Sequence, residues 1–155
     1  DATMLLVTHD QHEALSMATH LIVMNAGRVV QAGAPDELYR NPVNEFVAQF
    51  VGPPAMNIHA GLRAGERIGW RPGHGEVIAS PAHADPGALV LTGRVEVREF
   101  TGDGALLTCL IEAGTFTVMA PSHGPQPGDH ITVAIPQRRL HVFDATGQRK
   151  VAEYV

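Results

Sequence analysis

Positive charge is scarce in this sequence. Among its 155 residues there is one lysine, Lys150, and Lys and Arg together number 11 against 16 Asp and Glu, which gives a net charge of −5. Proteins that bind nucleic acid usually carry a basic patch or stripe, and the composition gives no sign of one. Aromatic residues make up only 5% of the chain, so the base-stacking platforms of a nucleic-acid-binding OB domain are also lacking. The composition therefore predicts no nucleic-acid partner.

Cysteine and long apolar runs are equally scarce. The single cysteine, Cys109, lies in the apolar run of residues 106–111, where we expect a buried thiol. One cysteine forms no disulfide within the chain, which suits a reducing cytoplasm. No apolar run approaches the roughly 18 residues that a membrane span needs. We therefore expect no direct membrane insertion, and any membrane association would come through a partner.

Several phosphate-binding and catalytic motifs are missing. The sequence contains no G-x-x-x-x-G-K-[ST] phosphate loop, no G-x-G-x-x-G after a strand and no G-x-S-x-G nucleophile turn. The glycine-rich loops cradle phosphate groups with backbone N–H groups, and the third motif presents the serine of α/β-hydrolases. Their absence argues against an independent ATPase and excludes a hydrolase nucleophile of this type.

The sequence changes character at Gly52-Pro53-Pro54, where a helix should stop and could not continue. Residues 1–52 alternate strand and helix signals, whereas residues 53–155 are rich in Gly and Pro and contain short β-type runs. We therefore predict two domains, 1–52 and 53–155.

In the first domain, the uninterrupted apolar run of residues 4–7 predicts a strand that is covered on both faces, as in a parallel sheet. Asp10 and Glu13 have capping-box spacing, so a helix should begin at Gln11. A hairpin is predicted over residues 21–31 with a three-residue loop, followed by short helices that begin at Pro35 and Pro42.

The second domain is predicted to be all β. Short strand signals separated by Gly-rich turns favour a small barrel or sandwich. The predicted strands cover residues 57–62, 66–71, 89–100, 105–112, 115–119, 130–135 and 140–143, and residues 80–88 read as a flexible connector.

His9 is the first candidate site residue, because it follows the predicted strand 4–7 directly. Ligands of open α/β sheets lie outside the carboxyl ends of the strands, where a histidine can contact a phosphate oxygen or position a water. Position alone favours a structural role over a ligand role. His9, His12 and Glu13 give H-x-x-H-E, which is neither H-E-x-x-H nor H-x-x-E-H, so no metal site is predicted.

Taken together, these segments resemble one family. The run V-T-H-D-Q-x-E-A-L-x-x-A and the sequence that follows it to Gly52 resemble the end of the ATP-binding subunit of ABC-type importers, from the switch-histidine loop onward. PPAMN, IGWRPGH and the run from LTGRVEV to LHVFDATGQRK resemble the C-terminal regulatory region of the same subunits. The carbohydrate-uptake class, which includes the maltose and sn-glycerol-3-phosphate types, is the most similar subgroup.

The resemblance implies a fold class and a set of partners. Residues 1–52 would be an α/β remnant of an ABC ATPase domain, and residues 53–155 an all-β OB-like barrel, the transport-associated OB domain. His9 would be the switch histidine that contacts the γ-phosphate of ATP, with ATP and Mg²⁺ bound in the intact parent protein. The parent would pair with a second ATPase subunit through the C-terminal domain and with transmembrane permease subunits, in the cytoplasm at the inner face of the plasma membrane.

The sequence also departs from the family. The phosphate loop, signature motif and Walker B carboxylates lie upstream in these subunits and are not found in this chain. We therefore expect a C-terminal fragment that binds no cofactor and hydrolyses no ATP by itself. Ala34 replaces the usual capping Ser or Thr, and Gly73 replaces the acidic residue of the R-P-E-H turn. Since related OB-like domains bind oxyanions such as molybdate, a stand-alone oxyanion-binding module is the alternative, although no Ser-, Thr- or Lys-rich anion pocket is evident.

Overall fold

The computed structural model describes residues 3–61 and 63–150. Within these ranges the chain forms three short α-helices and eleven strands, and the strands make three antiparallel sheets. A two-stranded hairpin and the helices belong to the first predicted domain, and the two larger sheets belong to the second. None of the helices in the described ranges is long and apolar enough to cross a membrane.

The first segment of the chain differs from its prediction. Residues 3–8 form no strand, and the side chains of Met4, Leu5 and Val7 are 78%, 84% and 89% exposed. An isolated strand leaves its backbone N–H and C=O groups unpaired, so a strand forms only where a neighbour completes the ladder. Among the described residues no strand pairs with this segment. The predicted strand 4–7, and with it the parallel sheet of an α/β remnant, is therefore not formed here.

The helix and hairpin that follow agree more closely with prediction. Helix α1 (Gln11–Met17) begins where predicted, and the Asp10 carboxylate accepts hydrogen bonds from the N–H groups of His12 and Glu13. Strands β1 (Leu21–Asn25) and β2 (Arg28–Gly33) form the hairpin. Its loop has two residues rather than three, because Ala26 and Gly27 both adopt positive φ, as in a type I′ turn.

Two further helices close the first region. Helix α2 (Pro35–Arg40) has Pro at its start and, as predicted from Ala34, no side-chain cap. Helix α3 (Glu45–Phe50) begins three residues later than predicted, because the Asn44 side chain accepts the Val47 N–H and caps the helix there. The two helices pack with the hairpin around a small apolar cluster, whose buried members are Val23, Leu38, Val47 and Val51.

The largest sheet has five antiparallel strands in the order β5-β9-β6-β7-β8. They are β5 (Glu76–Ile78), β6 (Leu89–Phe100), β7 (Gly104–Ile111), β8 (Gly114–Pro121) and β9 (His130–Ile135). Four of them match predicted strands, whereas the three-residue β5 was missed. Their inward side chains form the main core, which includes Cys109. The thiol is fully buried, as predicted, and burial raises its pKa to about 11.

The second large sheet has four strands in the order β11-β10-β4-β3. They are β3 (Asn57–Ala60), β4 (Arg67–Trp70), β10 (His141–Phe143) and the unpredicted β11 (Arg149–Lys150). The last residue of the predicted strand 57–62, Leu62, lies outside the described residues. Asn57 joins the two large sheets, since its side chain donates to the Thr117 carbonyl at 2.8 Å and accepts the Thr117 N–H at 2.7 Å. The second predicted domain is therefore all β, as expected.

Candidate functional site

His9 lies in a bend between residues 3–8, which form no strand, and α1, and its side chain is exposed. The neighbouring polar side chains make hydrogen bonds within this segment: Asp10 caps α1, and the Thr8 hydroxyl donates to the Glu13 carboxylate at 3.1 Å. In the described part of the chain no three His, Cys, Asp or Glu side chains are close enough together to hold a metal ion. The contact between His9 and ATP stays a prediction.

A more developed site lies elsewhere, in a cleft of about 550 Å³ between α2 and the four-stranded sheet. Four separate stretches of sequence form it: the end of α2, the turn that follows β4, the segment that leads into β10, and β11. Its walls carry six of the 11 Lys and Arg residues of the chain, together with two histidines. These residues are Arg40, Arg71, His74, Arg138, Arg139, His141, Arg149 and Lys150.

Arg71 is the anchor of this cleft. Although it is charged, it is only 1% exposed. Its two terminal nitrogens donate to the carbonyls of Ala48 and Tyr39 at 2.8 and 2.9 Å, and its guanidinium lies 4.1 Å from the centre of the Tyr39 ring. Gly52, with φ of 90°, packs against the same ring where a Cβ would collide with it. The β domain thus holds the two short helices through one arginine.

Within the described ranges, few carboxylates pair with the positive charges of the cleft. Arg71 binds only backbone carbonyls and an aromatic ring, and Arg149 donates to the neutral Asn41 side chain at 3.0 Å. Of the cations in the cleft, only Lys150 pairs with a carboxylate of the described residues, that of Glu66. Four buried nitrogens of the cleft have no hydrogen-bond partner among the described residues: Arg71 Nε, His74 Nδ1, His141 Nδ1 and Arg149 Nε.

The two histidines are affected by this surplus of charge. Burial, followed by the nearby charges of Arg149, Arg71 and His74, lowers the pKa of His141 to about 4. Burial and the charges of Arg139 and Arg71 also lower the pKa of His74. Both rings are therefore neutral near pH 7, because burial disfavours the charged form and the nearby cations oppose a further positive charge.

This arrangement predicts a pH dependence of stability. In the unfolded chain His141 titrates near its ordinary pKa of 6.5, whereas in the folded chain it titrates near 4. Between these values the unfolded state binds more protons, so the free energy of unfolding falls as the pH falls. Because solvent screens a partly exposed ring, we expect this group to contribute a loss of about 2 kcal/mol between pH 7 and pH 4.

Urea denaturation of wild type and His141→Gln across this pH range measures the effect. The variant should lose about 2 kcal/mol less than the wild type over the range. His130→Gln, a change at an exposed histidine outside the cleft, is the control and should follow the wild type. If the free energy of unfolding changes with pH in the same way for wild type and His141→Gln, the lowered pKa of His141 is contradicted.

Comparison with known proteins relates this chain to one family by sequence. Residues 68–143 match the sequence profile of the TOBE domain. The chain carries a TOBE domain. It is also 36% identical, over 96% of its length, to an sn-glycerol-3-phosphate import ATP-binding protein from Chromobacterium violaceum, and 33% identical, again over 96%, to one from Rhodopseudomonas palustris. A sulfoquinovosyl glycerol transport ATP-binding protein from Agrobacterium fabrum is 29% identical over the same share.

The chain spans about half the length of these relatives, between 46% and 48%. Among solved structures, a cytoplasmic molybdate-binding protein with molybdate bound matches 50% of this chain and 60% of its own at 18% identity, with a TM-score of 0.44. That structural match is too distant to carry an argument. The sequence comparisons identify this chain as homologous to ABC importer ATP-binding subunits, in the part that contains the TOBE domain.

The cleft lies only partly within the TOBE domain. Five of its eight charged or histidine residues fall in the matched range 68–143, whereas Arg40, Arg149 and Lys150 fall outside it. This site could hardly be predicted from the sequence, since the basic residues come from stretches up to 110 positions apart. The adjacent pairs Arg138-Arg139 and Arg149-Lys150 were the only local signal.

Proposed function

We propose that this chain forms the C-terminal part of the ATP-hydrolysing subunit of an ABC importer for a sugar or a glycerol-3-phosphate-like solute. Its β domain would serve as the regulatory and dimerisation domain. Similarity to importer ATP-binding proteins over 96% of the chain, which includes the TOBE domain, carries this proposal. Residues 1–52 would be the last piece of the ATPase domain in that subunit.

The exposed apolar surface of the first region supports this assignment. Beyond the segment 3–8, the hairpin exposes Ile22, Met24 and Val29 by 59%, 55% and 60%. Large apolar side chains clustered on a surface are typical of a face that another part of a protein covers. The missing neighbours of the predicted strand 4–7 would be the other strands of the ATPase sheet.

The residues of this chain do not by themselves fit ATP and Mg²⁺. They include no phosphate loop, and the described residues hold no cluster of carboxylates that could bind a cation. In the complete subunit, His9 would contact the γ-phosphate of ATP from the end of its strand, while other residues hold the nucleotide and the metal. Phosphoryl transfer depends mainly on such positioning and charge stabilisation.

The partners follow from the same assignment. The subunit would pair with a second copy through the C-terminal domain and would bind transmembrane permease subunits. It would lie in the cytoplasm at the inner face of the membrane without inserting into it.

The test is a chimeric subunit in which this chain replaces the corresponding part of the Chromobacterium violaceum relative. The chimera should hydrolyse ATP, and His9→Ala should lower its turnover at least about a hundred-fold, because the attacking water and γ-phosphate lose a positioning contact. His20→Ala changes another exposed histidine of the same region and should leave turnover unchanged.

Two outcomes would contradict the proposal. A fully active His9→Ala chimera would refute the role of His9. Tight, magnesium-dependent binding of ATP to this chain alone, measured by calorimetry, would refute the assignment of the chain to one part of a larger ATPase.

A further inference from the structure

The segment between α2 and α3, residues 41–45, is held along its backbone by both regions of the chain. We call this segment the strap. Arg71 fixes the helices on either side of the strap, since it binds the carbonyls of Tyr39 and Ala48. A separate set of contacts fixes the strap itself, and these contacts come from the hairpin and from the end of the β domain.

The hairpin holds the strap through one side chain. Gln31 of β2 donates from Nε2 to the Asn41 carbonyl at 3.0 Å, and its Oε1 accepts the Val43 N–H at 3.0 Å. A primary amide presents a donor and an acceptor side by side, as a peptide group does. Gln31 therefore satisfies the strap backbone in the way that a neighbouring strand does.

The β domain holds the strap through backbone groups. The Arg149 N–H donates to the Val43 carbonyl and the Glu45 N–H donates to the Gly147 carbonyl, both at 2.9 Å. These two bonds flank an antiparallel bridge, and β10 in turn pairs with β11. An ion pair of 3.2 Å between Glu45 and Arg67 of β4 adds a side-chain contact. The strap is thereby joined to the four-stranded sheet.

The strap has little conformational freedom of its own. Pro42 is less than 2% exposed, its ring fixes φ near about −65°, and it disfavours helical geometry at Asn41. At the other end, the Asn44 side chain accepts the Val47 N–H and caps α3. A segment that is fixed in this way transmits a displacement from one end to the other.

We propose that the strap is a rigid coupling element between the hairpin and the β domain. Loss of its contacts with Gln31 loosens its contacts with residues 147–149, and the reverse also holds. In the complete ATPase subunit, where the inference rests on the proposed function, a movement of the hairpin would be passed through the strap to the regulatory domain. The parts of the chain on either side of Gly52 would then move together.

Amide hydrogen exchange of the full chain, followed by NMR, tests the coupling with Gln31→Leu. The change removes both side-chain hydrogen bonds to the strap and keeps a similar volume. Exchange of the Val43 N–H should become at least about five-fold faster, because its acceptor is lost. The N–H groups of Glu45 and Arg149 bond to other partners, and they should accelerate by a similar factor because the strap opens as a unit.

Gln126→Leu is the matched control for this variant. The Gln126 side chain also donates to a backbone carbonyl, that of Gly124 at 2.9 Å, but it does so between β8 and β9. Its loss should leave the three amides of the strap contacts unchanged. Faster exchange of the Val43 N–H alone in Gln31→Leu shows that the opening stays local, and this result would overturn the proposal.

A coupling free energy is reciprocal, so the strap must also respond from its other end. Asp144 organises the turn that precedes β11, since its Oδ1 accepts the N–H groups of Thr146 and Gln148 at 2.8 and 3.1 Å. Asp144→Ala should therefore accelerate exchange of the Val43 N–H, which Gln31 holds, at least about three-fold.

Asp129→Ala is the matched control for the second variant. Asp129 also accepts a backbone N–H in a turn, that of Gln126 at 2.8 Å, and its loss should leave exchange of the Val43 N–H unchanged. Wild-type exchange of the Val43 N–H in Asp144→Ala, or equal acceleration in both aspartate variants, would count against the coupling and reject it.

Two amides of the main core, those of Leu107 and Val133, report opening of the whole fold and should keep their wild-type rates. If Gln31→Leu accelerates them as well, the variant unfolds globally and Asp144→Ala decides. Neither ATP nor a permease takes part in this measurement. A negative result therefore rejects the coupling and leaves the importer assignment intact, whereas an inactive chimera leaves the coupling intact.

Discussion

Replacing Arg71 with methionine should destabilise the protein by about 4 kcal/mol. The change removes the donors to the Tyr39 and Ala48 carbonyls, at 2.9 and 2.8 Å, and leaves both acceptors to find other partners. It also removes the cation that lies 4.1 Å from the centre of the Tyr39 ring, a contact worth about 1–2 kcal/mol when it is desolvated. Methionine fills part of the volume but makes none of these contacts.

Urea denaturation of Arg71→Met and wild type measures this loss, and two controls define its cause. Arg94→Ala removes a largely exposed arginine that pairs with Glu96 on β6, and it should cost less than about 1 kcal/mol. Arg71→Lys keeps the charge but loses the planar fork, so it should recover only part of the stability. A cost for Arg71→Met similar to that of Arg94→Ala would show that Arg71 does not fasten the helices to the β domain.

Replacing Trp70 with alanine should also cost about 4 kcal/mol. Trp70 is fully buried at the end of β4, yet it belongs to the main core, where its ring centre lies 6.5 Å from that of Phe116 on β8. On its other side it stacks on His59 at 5.1 Å. The side chain therefore fills the space between the two large sheets, and its removal leaves a cavity that neither sheet can close.

Thermal or urea denaturation of Trp70→Ala gives the magnitude, and Trp70→Phe gives the comparison. The indole Nε1 is buried without a hydrogen-bond partner among the described residues. Phenylalanine is smaller than tryptophan, which destabilises the core, but it also removes this unpaired donor, which offsets part of the cost. We therefore expect Trp70→Phe to lower the free energy of unfolding by less than about 2 kcal/mol. If Trp70→Ala lowers the free energy of unfolding no more than Trp70→Phe does, the indole does not fill the space between the two large sheets.

Much of the β domain could be predicted from sequence because its signals are local. Strands β6 and β9 have the predicted limits, and turns around positive-φ glycines such as Gly102 and Gly114 separate the strands. The strands β5 and β11 have three and two residues, too few for any alternation to be recognised. They exist because β9 and β10 offer free edges for them to pair with.

The first region contains a segment for which a local sequence signal was not sufficient. The apolar run of residues 4–7 has a strand-like sequence, but a strand is a property of a pair and this one has no neighbour among the described residues. Helix α1, in contrast, forms at the predicted residue, because a capping side chain and the next turn of backbone are sufficient to begin a helix.

The sequence by itself determined the family resemblance, the change of character at residue 52 and the place of His9 at the end of a strand-like run. Each depends on neighbouring residues in the chain. Only the tertiary structure decided where positive charge accumulates. Lys and Arg are outnumbered in composition, but the pairing of β4 with β10 and of β10 with β11, together with the packing of α2, brings six of them to one cleft. Electrostatic potential depends on distance in space, and a net charge summed along the chain does not reveal it.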